Sequence, residues 1–300
     1  MTDRLIVNLA LTGMVAEKAD NPWLPESVRE IAEDCVRCCD LGVSIVHVHA
    51  RTGGAPDYRK ETYRAIVRQI RESCPDLVIC VSCSGRTFPD IAQRADVLEL
   101  SGDDRPDLAS LTLGSLNFPR QPSINSPETI ASLARRMREN GIKPELEAFE
   151  VGMVDTARRL LAEGVLHDTP PYLNLFFGSR GTLDCTPLNL GAMLAALPPG
   201  SVWSAAGIGR HQLAANLMAI AAGGHVRTGL EDNLYMDVER ADPASNLRLV
   251  ERVVAIARAA GREPASPREA RRILGLREQG RAGRQSASEK CARRICPPAW

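Results

Sequence analysis

His47 and His49 stand two residues apart in the run SIVHVHAR (44–51). Side chains on an extended strand alternate faces, so both imidazoles point one way and Val46 and Val48 the other. Neutral imidazole is the commonest protein ligand for zinc and related divalent ions. Two such rings near a strand end make half of a metal site. One carboxylate would complete a two-histidine, one-carboxylate set with an open position, the pattern of catalytic metals. The chain holds only five histidines, so two in one apolar, β-branched run call for a reason. The plainer alternative is a pair of core histidines satisfied by their neighbours.

The run RTGLED (227–232) carries a second group of reactive residues. A turn at Gly229 lets Arg227 and Asp232 pair. A guanidinium beside a carboxylate orients it and keeps it ionised, which describes a positioned general base. A structural ion pair is the competing reading. Glu231, next to that aspartate, is the candidate third metal ligand. SCSGR (82–86) offers the hydroxyls of Ser82 and Ser84 and the Arg86 guanidinium as hydrogen-bond donors to a carbonyl or carboxylate. It is not the GxSxG of a serine nucleophile, and no histidine stands at an evident triad spacing. In AAGIGRHQ (205–212), Gly207 and Gly209 open a turn into a helix start. Such a turn presents backbone N–H groups to an anion, and Arg210 adds charge, although a tight turn alone would look the same.

These residues fall at the ends of regularly spaced strands. Strand runs at 5–13, 44–51, 77–85, 107–115, 143–152, 171–179, 201–209 and 225–232 alternate with helical runs at 25–42, 60–74, 88–96, 126–141, 153–164, 188–197, 210–224 and 246–261. A short helix is expected at 266–276, and DVLEL (96–100) is a candidate extra strand. Strands each followed by a helix imply parallel pairing through right-handed crossovers. Eight such units within residues 1–276 predict a single α/β domain, a (β/α)8 TIM barrel. An open doubly wound sheet would carry a glycine-rich dinucleotide turn after its first strand. Here that turn reads LTGMVAEKAD, with one glycine. In a barrel the active site lies at the C-terminal ends of the strands. Strand eight closes against strand one there, which brings Glu231 within one strand of His47 and His49.

Composition excludes several classes. Lys plus Arg and Asp plus Glu both number 37, for a net charge of zero, so the molecule as a whole has no electrostatic case for nucleic acid or an anionic membrane. No apolar run is long enough to span a bilayer, and the expected location is the cytoplasm. Nine cysteines, an odd number scattered through predicted elements, do not read as a secreted disulfide framework. CVRC (35–38) lies mid-helix with no second CxxC, so core packing is favoured over redox or zinc chemistry. Residues 277–300 carry an excess of basic side chains with Gly, Ser and Pro. They read as a flexible basic tail.

Taken together, HVHAR, VSCSGR, SLTLGSLNF, IKPELEAFEVGMV, WSAAGIGR, GGHVRTGLEDN and SPREARRILGL resemble the β-keto acid cleavage enzymes, from about residue 4 to 276. The resemblance implies a metal-dependent barrel, commonly a homotetramer. It converts a β-keto acid and acetyl-CoA into acetoacetate and a new acyl-CoA. It implies Zn2+ or a similar divalent ion on His47, His49 and Glu231. Catalytic roles pass to Asp232, Arg227, Ser82 and Ser110. The substrate would meet Val15, Ser84, Gly85, Arg86 and Thr112, and CoA would meet Gly207, Gly209 and Arg210. A metal-dependent barrel lyase or aldolase acting without CoA is the alternative. The family's described member binds its substrate's amino group through an acidic residue on the first βα loop. The matching position here is Val15, and Arg86 replaces a small residue. An anionic or neutral β-keto acid is therefore expected rather than the 5-amino compound, because a buried ammonium would lose its partner.

Overall fold

The strands are short and almost wholly buried, and the helix after each one covers its outer face. A computed structural model describes residues 4–118, 121–167 and 169–277. In it eight parallel strands close into a barrel: β1 (Val7–Ala10), β2 (Ile45–Val48), β3 (Val78–Val81), β4 (Leu108–Thr112), β5 (Lys143–Ala148), β6 (Tyr172–Phe177), β7 (Val202–Gly207) and β8 (His225–Thr228). Neighbours in space follow chain order, and β8 pairs with β1 through Arg227 opposite Asn8. The expected (β/α)8 barrel is what forms.

The surrounding helices are α1 (Val28–Cys39), α2 (Lys60–Ser73), α3 (Ile91–Ala95), α4 (Pro127–Glu139), α5 (Val151–Ala162), α6 (Pro187–Ala196), α7 (Gln212–Ala221), α8 (Asn246–Ala259) and α9 (Pro267–Ile273). Their starts are written in the sequence. Ser27, Ser126, Thr186, Ser245 and Ser266 each accept a hydrogen bond from a backbone N–H in the first turn. Each such cap stabilises its helix by about 1 kcal/mol. Pro127, Pro187 and Pro267 supply the first helical residue, where the missing N–H costs nothing.

The main core lies between barrel and helices. It takes Val46 and Val48 from β2, together with Cys35 and Cys38 of α1. The CVRC cysteines are thus packing residues, and the seven described cysteines are free thiols. A smaller core of Ile6, Ile45, Val78, Leu108 and Tyr172 closes the N-terminal mouth of the barrel against Ala270 and Leu274, contributed by α9 and the residue after it. One end of the barrel is therefore plugged, which leaves chemistry to the other.

Tertiary structure altered several expected boundaries. The run 96–100 is not a strand; Asp96–Glu99 forms a 3-10 turn directly after α3. The expected strand 225–232 stops at Thr228. Gly229 there has φ of 141°, and a Cβ on it would lie 2.1 Å from the Ala10 carbonyl. The loop that follows carries Glu231 and Asp232. Residues Arg4–Leu5 leave the barrel to pair with Glu263–Pro264. Two small hairpins, Ala50–Thr52 with Ala55–Asp57 and Leu116–Asn117 with Pro122–Ser123, stand on the open end. Apart from Arg277, the basic tail lies outside the described residues. Among the described residues, no helix is long and apolar enough to cross a membrane.

Candidate active site

The two histidines do share a face. His47 is the third residue of β2 and His49 directly follows the strand. Their Nε2 atoms are 3.3 Å apart, and both rings are buried. Glu231 reaches them from the far side of the closed seam, with Oε1 3.0 Å from His49 Nε2 and Oε2 3.7 Å from His47 Nε2. The ligand atoms of His47, His49 and Glu231 all lie within 4.8 Å of one another.

The loop after β8 that carries Glu231 is pinned on several sides. The Glu231 N–H donates to the Ala10 carbonyl at 3.1 Å. Gln212 of α7 donates to the Gly229 carbonyl, and Asn246 at the start of α8 accepts from the Leu230 N–H and donates to the Leu11 carbonyl. Gly13 faces this loop from the end of β1. A Cβ on it would approach Glu231 Cγ to 2.9 Å.

Arg227 lies beneath the metal-type set and organises two acids at once. Its Nε donates to Asp232 Oδ2 at 2.9 Å and its Nη2 to Glu231 Oε1 at 2.9 Å. The expected Arg227–Asp232 pair is therefore present and buried, not a surface bridge. Arg227 Nη1 points into the barrel, 3.9 Å from both Glu145 Oε2 and Glu147 Oε1.

Two acids that sequence reasoning left unassigned support this layer. Glu145, fully buried on β5, accepts from His47 Nδ1 at 2.8 Å and from Asn8 Nδ2 at 2.7 Å. It also accepts the Cys80 thiol at 3.1 Å. Glu147 accepts the Thr112 hydroxyl at 2.7 Å. Two residues apart on β5, both glutamates share one face, and the closed barrel sets what they meet.

Burial works against charge throughout this cluster, and the neighbours decide each outcome. Burial holds His49 below its ordinary value, so it is neutral and able to offer a lone pair. Burial also lowers His47, but Glu231 and Glu145 outweigh it and the net shift is upward. Burial would raise Glu145, yet His47 and Arg227 bring it down to about 2. The same burial penalty on Glu231 is overcome by Arg227, His49 and His47, which hold it well below the carboxylate range. For Asp232, burial prevails over Arg227 and is reinforced by Glu231, so its pKa is raised. The two adjacent acids therefore shift in opposite directions, Glu231 down and Asp232 up.

The remaining candidate residues surround this centre. Ser82, directly after β3, and Ser110, in the middle of β4, are both buried; Ser110 Oγ accepts the Cys83 N–H, and Ser82 Oγ the Ser84 N–H. Gly85 lies against Arg94, whose Nη1 would be 2.7 Å from an added Cβ. Arg86 stacks on Phe118. Val15 is exposed on the first loop. Gly207 ends β7. The Gly209 N–H is already committed to the Asp232 carbonyl at 2.7 Å, and Arg210 is exposed.

A closed parallel barrel with acids, imidazoles and an arginine at the C-terminal ends of its strands defines an enzyme of the TIM-barrel class. The family model described as beta-keto acid cleavage enzyme matches residues 4–276. A 3-keto-5-aminohexanoate cleavage enzyme of Fusobacterium nucleatum is 38% identical over 280 residues, covering 93% of this chain and 100% of the relative. A 3-oxoadipate:acetyl-CoA acetyltransferase of Cupriavidus necator is 34% identical, covering 92% and 96%. The solved ternary complex of ObcA with a C4-CoA adduct and oxalate superposes with a TM-score of 0.74 at 20% identity, covering 85% of this chain and 68% of that one, which speaks to the fold alone. The chain belongs to the β-keto acid cleavage enzyme family, and so to the acyltransferases that cleave a carbon–carbon bond.

Proposed function

We propose that this enzyme transfers the acyl group of an anionic or neutral β-keto acid to CoA at the expense of acetyl-CoA, releasing acetoacetate, with a divalent ion such as Zn2+ on His47, His49 and Glu231. The donor set fits such an ion. With Nδ1–H of His47 donated to Glu145, Nε2 is the nitrogen that faces His49 Nε2 and Glu231, where an ion would take the place of a proton. Glu231 Oε2 is buried without a hydrogen-bond partner. When bound, the ion supplies Lewis acidity toward the keto and carboxylate oxygens of the substrate.

The protein's own groups account for the proton and the geometry. Asp232, oriented by the Arg227 fork, takes a proton from the carbon between the keto and carboxyl groups. That carbon bonds to the acetyl carbonyl, and CoA leaves as thiolate. The thiolate then adds to the substrate's original keto carbon. The bond from that carbon to the central carbon breaks, giving the new acyl-CoA. The acetoacetate carbanion recovers the proton from Asp232. Ser82 and Ser110 direct hydroxyls toward the oxygens that gain charge. Gly207, Gly209 and Arg210 line the side on which CoA would bind.

Residues 1–276 would act as one catalytic domain. Free thiols suit a reducing cytoplasm, and a tetramer is the expected assembly. The observation that carries the proposal is the meeting of His47, His49 and Glu231 above the Arg227–Asp232 pair. The test is turnover of a panel of β-keto acids with and without acetyl-CoA, alongside metal analysis of the wild type and His49→Ala. The expected result is cleavage that requires acetyl-CoA, one bound metal per chain, and loss of both in the variant. Cleavage independent of CoA would instead make the protein a lyase or aldolase.

A further inference from the structure

Arg86 follows β3 on the open end of the barrel, and its guanidinium lies over the Phe118 ring, 3.2 Å from the centroid. That ring begins a row of three. Phe118 meets Phe149 edge-on at 6.1 Å, Phe149 stacks on Phe176 at 4.4 Å, and Arg227 sits 4.9 Å above Phe176. The aromatic row thus connects Arg86 with the arginine that organises the site. The hairpin carrying Phe118 also grips the backbone, since Gln121 donates to the Arg86 carbonyl. The Ser84 hydroxyl accepts the Arg86 N–H at 3.3 Å. Arg86 is held in place twice over.

Its donors are nevertheless free. Arg51 and Arg94 spend their N–H groups on carbonyls and an amide. Among the described residues, the half-buried Arg86 guanidinium has no such acceptor. Stacking uses the flat face of a guanidinium and leaves its N–H edge open, the edge that matches a carboxylate with two parallel bonds. That edge is not buried against the protein, so an anion can reach it and take two charge-assisted bonds. Glu231, Glu147 and Asp232 act on the charge of Arg86 from the site side, although burial pulls its pKa down overall.

We propose that Arg86 is a specificity residue that binds a second carboxylate at the far end of the acyl chain, making a β-keto dicarboxylic acid the preferred substrate. This rests on the function proposed above and names its substrate class. The keto acid is favoured over the phosphates of CoA as the anion, because β3 and β7 lie on opposite sides of the barrel. The glycine turn after β7 is the CoA side in that proposal.

The test compares 3-oxoadipate with 3-oxohexanoate, a chain of equal length without the second carboxylate, in the wild type, Arg86→Gln and Arg86→Lys. With saturating acetyl-CoA, the wild type should favour 3-oxoadipate in kcat/KM. Arg86→Gln should reduce that preference about 30-fold or more, and Arg86→Lys by less. The KM for acetyl-CoA should hold. A preference unchanged within about threefold, or a loss that falls on the acetyl-CoA KM, overturns the assignment. Calorimetric binding of the two acids without acetyl-CoA separates the two claims. If nothing turns over, the acyl-transfer reading fails. Arg86-dependent selective binding of the diacid would still support this inference, and equal binding would end it.

Discussion

Glu145 receives the Nδ1–H of His47 at 2.8 Å, with both side chains buried inside the barrel. This single contact decides which ring nitrogen faces the site. It leaves Nε2 as the nitrogen aimed at His49 and Glu231. Glu145→Gln removes the charge that draws the proton to Nδ1. The dissociation constant for zinc should rise about 10- to 100-fold, as for other partners of metal-bound imidazoles. Competition with a chromophoric chelator measures it, and circular dichroism checks the fold. An unaltered zinc affinity would remove Glu145 from the site.

Asp232→Asn should leave metal content intact and lower kcat by about 10²- to 10⁴-fold, the range for loss of a general base. The sharper readout is solvent deuterium entering the central carbon of the β-keto acid without acetyl-CoA. Exchange above background should be present in the wild type and absent in the variant. Persistent exchange would assign the proton to another group.

Gly13→Ala tests how closely the first loop approaches the metal-type set. The added Cβ would meet Glu231 Cγ at 2.9 Å, and Glu231 Cα and Cβ lie 3.7 Å away. The carboxylate must shift, so zinc affinity should weaken about tenfold or more. Thermal stability should change little, because the strain falls on one flexible side chain. A large drop in Tm with normal zinc binding would contradict this account.

His225 gives the fold a pH dependence away from the site. Its Nδ1 accepts the Ile6 N–H at 3.0 Å. Burial first, and then the Arg262 charge, lower its pKa to about 4. An unfolded histidine titrates near 6.5. Between those values the unfolded chain holds a proton that the folded chain rejects. Stability therefore falls as pH drops from about 6.5 to 4, by up to about 3 kcal/mol from this group. His225→Asn keeps an acceptor for Ile6 and does not titrate. Denaturant midpoints across this range should slope less in the variant, and matching slopes would exclude His225 as the cause.

Much of this protein was legible in its sequence. Strand alternation put His47 and His49 on one face, cap residues such as Ser126 and Ser266 marked helix starts, and eight strand–helix units implied the closed barrel. These are local signals, set by backbone periodicity and hydrogen bonding within a few residues. What only the tertiary structure decided is non-local. The closure of β8 onto β1 is expected from the sequence to bring Glu231 to the histidines; that it does so from a pinned loop, because Gly229 breaks the strand against Ala10, is not. Bringing β5 round to β2 and β8 gives Glu145 and Glu147 their partners, though they stand nearly 100 residues from His47, at a separation of 98 for Glu145. DVLEL has the composition of a strand and became a 3-10 turn, since its backbone hydrogen bonds were settled by its junction with α3 rather than by propensity. Residue type and spacing announce which chemistry is available; the closure of the barrel chooses which groups perform it together.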